Sequence, residues 1–143
     1  MKFKKLRPDA KTPVYGSAAA AGADLYVCSD HEISIMPGET VLLPTGLAVA
    51  IPDGYVGLIF ARSSLGTKKG LAPANKVGVI DADYRGEILI SMHNHSPEKQ
   101  TLAPYERVAQ MVIVPFLQAA YEEAEELDNT ARGAGGFGST GSV

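Results

Sequence analysis

Pro37-Gly38-Glu39-Thr40-Val41-Leu42-Leu43-Pro44-Thr45-Gly46-Leu47-Ala48-Val49-Ala50-Ile51-Pro52-Asp53-Gly54-Tyr55-Val56-Gly57-Leu58-Ile59-Phe60 is the stretch that decides the fold. Three apolar runs, Thr40–Leu43, Leu47–Ile51 and Tyr55–Phe60, are each too short for a stable helix. They are separated by Pro-Gly, Thr-Gly and Asp-Gly, residues that turn a chain sharply. Short strands joined by tight turns predict an all-β sandwich or barrel. Outward from this stretch the pattern repeats. Glu87–Asn94 alternates, with Ile88, Ile90 and Met92 on one face and Glu87, Ser91 and His93 on the other. Val108–Val114 is uniformly apolar and reads as a strand covered on both faces. The one helical candidate is short, around Ser64–Lys69, and no internal repeat is present.

Composition narrows the function classes. A chain of 143 residues, 45% hydrophobic, is one globular domain with a core of its own. Its net charge of −3 argues against a general nucleic-acid binder, which carries a basic face. It does not argue against a small anionic ligand, because a few placed arginines suffice for one. No apolar run approaches a membrane-spanning length, and the basic start Met1–Arg7 lacks the apolar stretch of a secretory signal. The single cysteine, Cys28, has no disulfide partner within the chain. A soluble, reducing, cytoplasmic setting is expected, without nucleic-acid or membrane partners.

Beyond Leu117 the composition changes. The run Tyr121–Asp128 is acidic, and in Arg132–Gly141 five of the ten residues are glycine. Such a segment makes no core, so the expected division is a β domain over 1–127 and a tail over 128–143. A plain disordered terminus is one reading. The other notes an arginine, an aromatic ring and two hydroxyls among the glycines, an inventory suited to wrapping a phosphorylated ligand.

Four further segments could carry chemistry. Gly78–Glu87 sets Asp81, Asp83, Tyr84 and Arg85 between glycines ahead of an alternating strand. Turn formation explains Asp83, whereas Asp81 follows Val79-Ile80 and is expected at a strand end with its carboxylate held inward, as a general base for a bound water. Ala61–Gly66 offers Arg62 and Ser63 to an anion, or equally a helix capped by Ser63 or Ser64 beside a solvated arginine. Arg107 at the mouth of an apolar strand calls for an acidic partner, and Gln110 is polar within the same strand. Asp24, after the small-residue loop Ala21–Ala23, says little by itself.

Taken in order, Ala-Gly-Ala-Asp-Leu (21–25), Ala-Arg-Ser-Ser-Leu-Gly (61–66), Gly-Val-Ile-Asp-Ala-Asp-Tyr-Arg-Gly-Glu (78–87), Arg-Val-Ala-Gln-Met (107–111) and Arg-Gly-Ala-Gly-Gly-Phe-Gly-Ser-Thr-Gly (132–141) resemble the five motifs of the trimeric dUTPases. The third and fifth are highly specific, and the resemblance spans essentially the whole chain. It implies a jelly-roll-like β fold, a homotrimer with shared active sites, and Mg²⁺-dependent hydrolysis of dUTP to dUMP and pyrophosphate by water attack at the α-phosphorus. That activity keeps uracil out of DNA and supplies dUMP for dTMP synthesis. Asp81 matches the residue that activates the water, and Tyr84 the ring beneath deoxyribose that excludes a 2′-hydroxyl.

The resemblance places Asn75, Gly78, Val79 and Ile80 at the uracil edge, and Arg62, Ser63, Gly66 and Gln110 at the phosphates. In the tail, Phe137 resembles the ring that stacks on uracil. Arg132, Ser139 and Thr140 resemble γ-phosphate contacts, with Gly138 also a substrate-binding position. Asp24 is implied as a support acting through waters or an arginine. Mg²⁺ is implied to be held by substrate phosphates and waters, with no direct protein ligand. One departure is Ala61, where the second motif usually begins with proline. A related fold, that of deoxycytidine triphosphate deaminase, carries a glutamate in the strand after the third motif, where this chain has Ser91. A catalytically idle nucleotide sensor would lack the base or the tail, and both are present.

Overall fold

The computed structural model describes residues 1–136. Among these the chain forms a jelly-roll-like β-sandwich of short strands with one short helix. In chain order the elements are β1 (Lys2–Lys5), β2 (Val14–Tyr15), β3 (Ala23–Tyr26), β4 (Ile33–Ile35), β5 (Thr40–Pro44), β6 (Leu47–Ala50) and β7 (Tyr55–Ala61). There follow α1 (Ser63–Lys69), β8 (Leu71–Pro73), β9 (Gly78–Ile80), β10 (Leu89–Asn94), β11 (Gln100–Leu102) and β12 (Arg107–Pro115). The decisive stretch folds as expected. Its three turns each place a glycine, Gly38, Gly46 and Gly54, at a φ of 74°, 67° and 78°, where an L side chain would be strained.

The strands form a five-stranded sheet in the order β2-β3-β12-β7-β9, a three-stranded sheet β5-β10-β8, and the pairs β1-β6 and β11-β4. Leu25, Ile59, Val108 and Met111 from the first sheet and Leu43, Leu71, Ile90 and Met92 from the second share one buried cluster. Truncating one of these large side chains to alanine costs about 2–5 kcal/mol, through lost transfer energy and the cavity left behind.

Three expectations shift. The alternation at Ile88, Ile90 and Met92 is present, with all three buried, yet β10 begins only at Leu89. Ile88 bonds instead to the β5–β6 turn, donating to Leu47 O and accepting from Thr45. The alternation also carries inward Asn94, whose amide is satisfied by Ile35 O, Glu98 O and Ser96. β12 is buried at Val108, Ala109 and Met111 but only half-covered from Val112 to Val114, so a single chain does not cover both its faces. The helix starts one residue early, at Ser63, and its first turn has no side-chain cap, so neither Ser63 nor Ser64 serves as one. Among the described residues regular structure ends at Pro115; Leu117, Tyr121 and Leu127 beyond it are about nine-tenths exposed or more. No helix among the described residues is long and apolar enough to cross a membrane.

Candidate active site

The residues singled out from sequence gather in two places. One is the hairpin that leads through β9. After β8 the chain turns at Ala74–Val77, with Lys76 N–H donating to Pro73 O and Val77 N–H to Asn75 O. Lys76 takes a left-handed φ of 63°, a strained conformation for a non-glycine residue. Asn75 is exposed at this tip, and β9 then pairs with β7 in the register Gly57↔Ile80 and Ile59↔Gly78. A pocket of roughly 170 Å³ follows, lined by Val79, Ile80, Asp81, Tyr84, Glu87 and Leu89.

Asp81 is exposed rather than held inward. Ile80 packs on the core, and the two-residue period of a strand sends the next side chain to the other side. The tight turn Asp81–Tyr84, closed by Tyr84 N–H donating to Asp81 O, puts Asp83 in a turn position as expected.

The second place is a polar cradle of about 250 Å³, lined by Asp24, Arg62, Ser63, Arg107 and Gln110 with Gly16, Ala20 and Gly22. Its geometry follows from three adjacent strands. Gln110 on β12 stands opposite Asp24 on β3 and Phe60 on β7, and Arg62 lies two residues beyond Phe60 on the same face. A register shift between Arg107 and Ala109 re-aims Arg107 toward the same spot, the usual effect of a β-bulge.

Asp24 receives Arg62 Nε at 2.9 Å on one oxygen and Arg107 Nη1 at 3.1 Å on the other, with its side chain only 14% exposed. Arg62 is therefore not simply solvated. Two guanidiniums on one carboxylate leave a surplus positive charge facing the cradle, which favours an anion. Gln110 Nε2 donates to Ala61 O at 3.1 Å, fixing the amide beside Arg62.

Sequence reasoning misses two contributors. It gives Arg107 only an acidic partner, yet Arg107 lines the cradle. It gives Gly22 no role: a Cβ there would lie 2.6 Å from Gln110 Oε1, so only glycine leaves the amide its place. The available signal is its position two residues from Asp24, beside the strand that pairs with Gln110. Gly66 sits exposed in α1 and does not line the cradle. Arg132 bonds its own turn, Nε to Gly135 O at 2.9 Å, away from both pockets. Phe137, Gly138, Ser139 and Thr140 lie outside the described residues.

The two places do not meet within one chain. Asp81 lies one residue past the Gly57↔Ile80 pair, level with Val56 at the start of β7, whereas Arg62 follows its end. At about 3.3 Å per residue that separates them by roughly 20 Å along the strand.

The chemistry of the donors also bears on a metal ion. The cradle's carboxylate, Asp24, has both oxygens engaged by arginines, so the cradle does not fit a protein-held cation. No group of three or more His, Cys, Asp or Glu among the described residues is arranged to hold one. Cys28 is buried, and burial pushes its thiol pKa up, which disfavours the thiolate needed for nucleophilic work.

A profile described as dUTPase matches residues 8–141. The chain belongs to the dUTPase family. Among curated dUTPase relatives, the deoxyuridine 5'-triphosphate nucleotidohydrolase of Neisseria meningitidis serogroup A is 50% identical over 130 residues, covering 90% of this chain and 87% of that one. The enzyme of the same name from Syntrophotalea carbinolica is 48% identical over 141 residues, 99% of this chain and 96% of that one. Among solved structures, the Staphylococcus bacteriophage 80alpha dUTPase with dUPNHPP superposes with a TM-score of 0.90 at 28% identity, covering 98% of this chain and 97% of that one. A point variant of the dUTPase from a phage of S. aureus, phi11, described with a structural Mg(II) ion, gives 0.78 at 26% identity over 87% and 96% of the two chains.

Proposed function

We propose that this chain hydrolyses dUTP to dUMP and pyrophosphate, with Asp81 as the general base for a water that attacks the α-phosphorus. The observation that carries the reading is that Asp81 and Tyr84 line one pocket, on a hairpin whose tip holds Asn75. In this reading uracil lies along the hairpin backbone at Asn75, Gly78, Val79 and Ile80, too close for the methyl group of thymine. Tyr84 closes off the space that a 2′-hydroxyl would need. The exposed Asp81 carboxylate is open to a bound water, the reach that a general base needs.

Arg62, Ser63 and Gln110 hold phosphate oxygens in the cradle, and Asp24 fixes the arginine that would otherwise wander. The surplus guanidinium charge there is the protein's counter to the triphosphate. Mg²⁺ delivered on the nucleotide would neutralise phosphate charge and polarise phosphorus, and the residues present fit an ion held by substrate oxygens and waters rather than by side chains. The tail, 128–143, then closes over the site: Phe137 stacks on the base, Arg132, Ser139 and Thr140 reach the γ-phosphate, Gly138 lets the backbone approach, and bulk water is excluded. Removing residues 132–143 should leave a folded protein that turns over dUTP very poorly; near-normal turnover would remove the tail from the mechanism.

The separation of the two pockets within one chain supports a shared site, with the hairpin of one copy facing the cradle of another in a homotrimer. The half-open faces of β12 and the exposed segment after Pro115 are compatible with such neighbours. The biological role that follows is removal of dUTP from the cytoplasmic pool, which keeps uracil out of DNA and provides dUMP for dTMP synthesis.

The direct test is pyrophosphate release with Mg²⁺ across dUTP, UTP, dTTP and dCTP. Rapid release from dUTP alone is expected, and in ¹⁸O-water the label should enter dUMP and not pyrophosphate. An inert protein, equal use of UTP, or label in pyrophosphate would each refute a stated part of the reading.

A further inference from the structure

We propose that Gly86 is a specificity-determining residue, because its missing side chain is the seat on which the Tyr84 ring rests. The inference builds on the reading of Tyr84 as the group that rejects a ribose 2′-hydroxyl.

A Cβ added at Gly86 would collide with the Tyr84 hydroxyl and come within 2.6 Å of Cζ and 3.0 Å of Cε2. The ring therefore folds back over the backbone of residue 86. Its hydroxyl reaches past Gly86 to donate to Glu87 O at 2.9 Å. Glu87 is itself anchored, since its Oε1 accepts the Gly46 N–H at 2.7 Å and the next residue, Ile88, donates to Leu47 O at 2.8 Å. Tyr84 thus leans on a rail fixed to the β5–β6 turn.

Two observations separate this role from the ordinary uses of glycine. Gly86 is not among the glycines with left-handed φ, which are Gly38, Gly46, Gly54, Gly70 and Gly133 among the described residues, so the backbone itself does not require glycine there. And Tyr84 is 42% exposed, so burial in the core does not hold the ring. What fixes it is the bare backbone beneath and one hydrogen bond at its end. A methyl group at 86 would take the ring's place and leave backbone geometry allowed. The ring, attached by two freely rotating bonds, would swing toward solvent, and the pocket it shares with Asp81 would lose that wall.

The test compares kcat/KM for UTP and dUTP in Gly86→Ala, Tyr84→Ala and the double variant. Gly86→Ala should raise the UTP/dUTP ratio by about tenfold or more, the scale on which one lost steric or hydrogen-bonding feature changes selectivity. The double variant should match Tyr84→Ala alone, because both changes remove the same wall. A general loss of packing would lower both substrates together and leave the ratio fixed, which would overturn the proposal. A raised ratio in Tyr84→Ala with an unchanged one in Gly86→Ala would overturn the role of Gly86 alone. An unchanged ratio in Tyr84→Ala would overturn the reading of the ring on which it rests. If Gly86→Ala fails to fold, removing the ring should rescue it; a double variant that also fails would show that something other than Tyr84 needs the space.

Discussion

The hairpin pocket and the arginine cradle are built in opposite ways. Everything in the pocket except Leu89 comes from Val79–Glu87, and its wall is shaped by short-range contacts: a turn at Asp81–Tyr84, a tyrosine bonded three residues ahead and a bare glycine between. The segment is tied to the rest of the molecule through Glu87 to Gly46 and β9 to β7. The cradle draws on three strands, and its ion pairs span 38 and 83 residues of sequence. One half is made by local chain geometry, the other by tertiary register. The hairpin should therefore be most sensitive to local changes, whereas the cradle should fail when its single shared carboxylate is lost.

The largest effect is expected in the hairpin. Asp81→Asn should lower kcat by roughly 10²–10⁴-fold, the usual worth of a positioned general base, while nucleotide affinity stays near normal. The side chain is exposed, so thermal stability should not move. An active variant would mean that another group takes the proton.

In the cradle the same kind of truncation should behave differently. Asp24→Ala strands two guanidiniums around a mostly buried position, and breaking such a pair costs about 3–5 kcal/mol, at the lower end here because Arg107 is half exposed and solvent screens it. Both unfolding midpoint and dUTP affinity should fall together. If denaturation curves were superimposable with the parent, Asp24 would not organise the arginines.

These differences explain what could be read from sequence. The hairpin was legible because Asn75 to Glu87 is contiguous, so motif and site nearly coincide. Even there the carboxylate of Asp81 was expected inward and stands outward, because the inward position belongs to Ile80. The cradle was only partly legible: an acidic partner for Arg107 was expected, but nothing in Ala21–Leu25 says that Asp24 serves two arginines. The strands of the decisive stretch stood out through their glycine turns. β2, β4, β8 and β11 are two or three residues long and carry too little alternation to register.

A gentler probe of the cradle is Gly22→Ala. The tightest contact is with the Gln110 amide oxygen, and the amide can turn away by giving up its bond to Ala61 O while Gln110 Cβ at 3.2 Å yields by a small shift. Stability should therefore change little while KM for dUTP rises severalfold at nearly constant kcat. A collapse of the fold instead would assign Gly22 to packing. Smaller still is an effect at His95, which lies just past β10 beside the hairpin residue Lys76. Lys76 Nζ lies 3.4 Å from His95 Nε2, and the His95 pKa is lowered from 6.5 by partial burial, by Lys76 and by His93, with no carboxylate among these causes. The unfolded chain then binds the proton more readily than the folded one, so stability should decline as pH falls below about 6.5. His95→Gln should flatten that part of the melting-temperature profile; an unchanged slope would place the titration elsewhere.

If the hairpin pocket of one copy and the cradle of another form one dUTP site, two chains that each lack one half should complement each other. Asp81→Asn and Arg62→Gln chains, each nearly inactive alone, can be refolded together and assayed for pyrophosphate release from dUTP. The mixture should regain activity far above either parent, because some sites then combine an intact Asp81 with an intact Arg62. A mixture as inert as its parents, in oligomers verified to contain both chains, would contradict it.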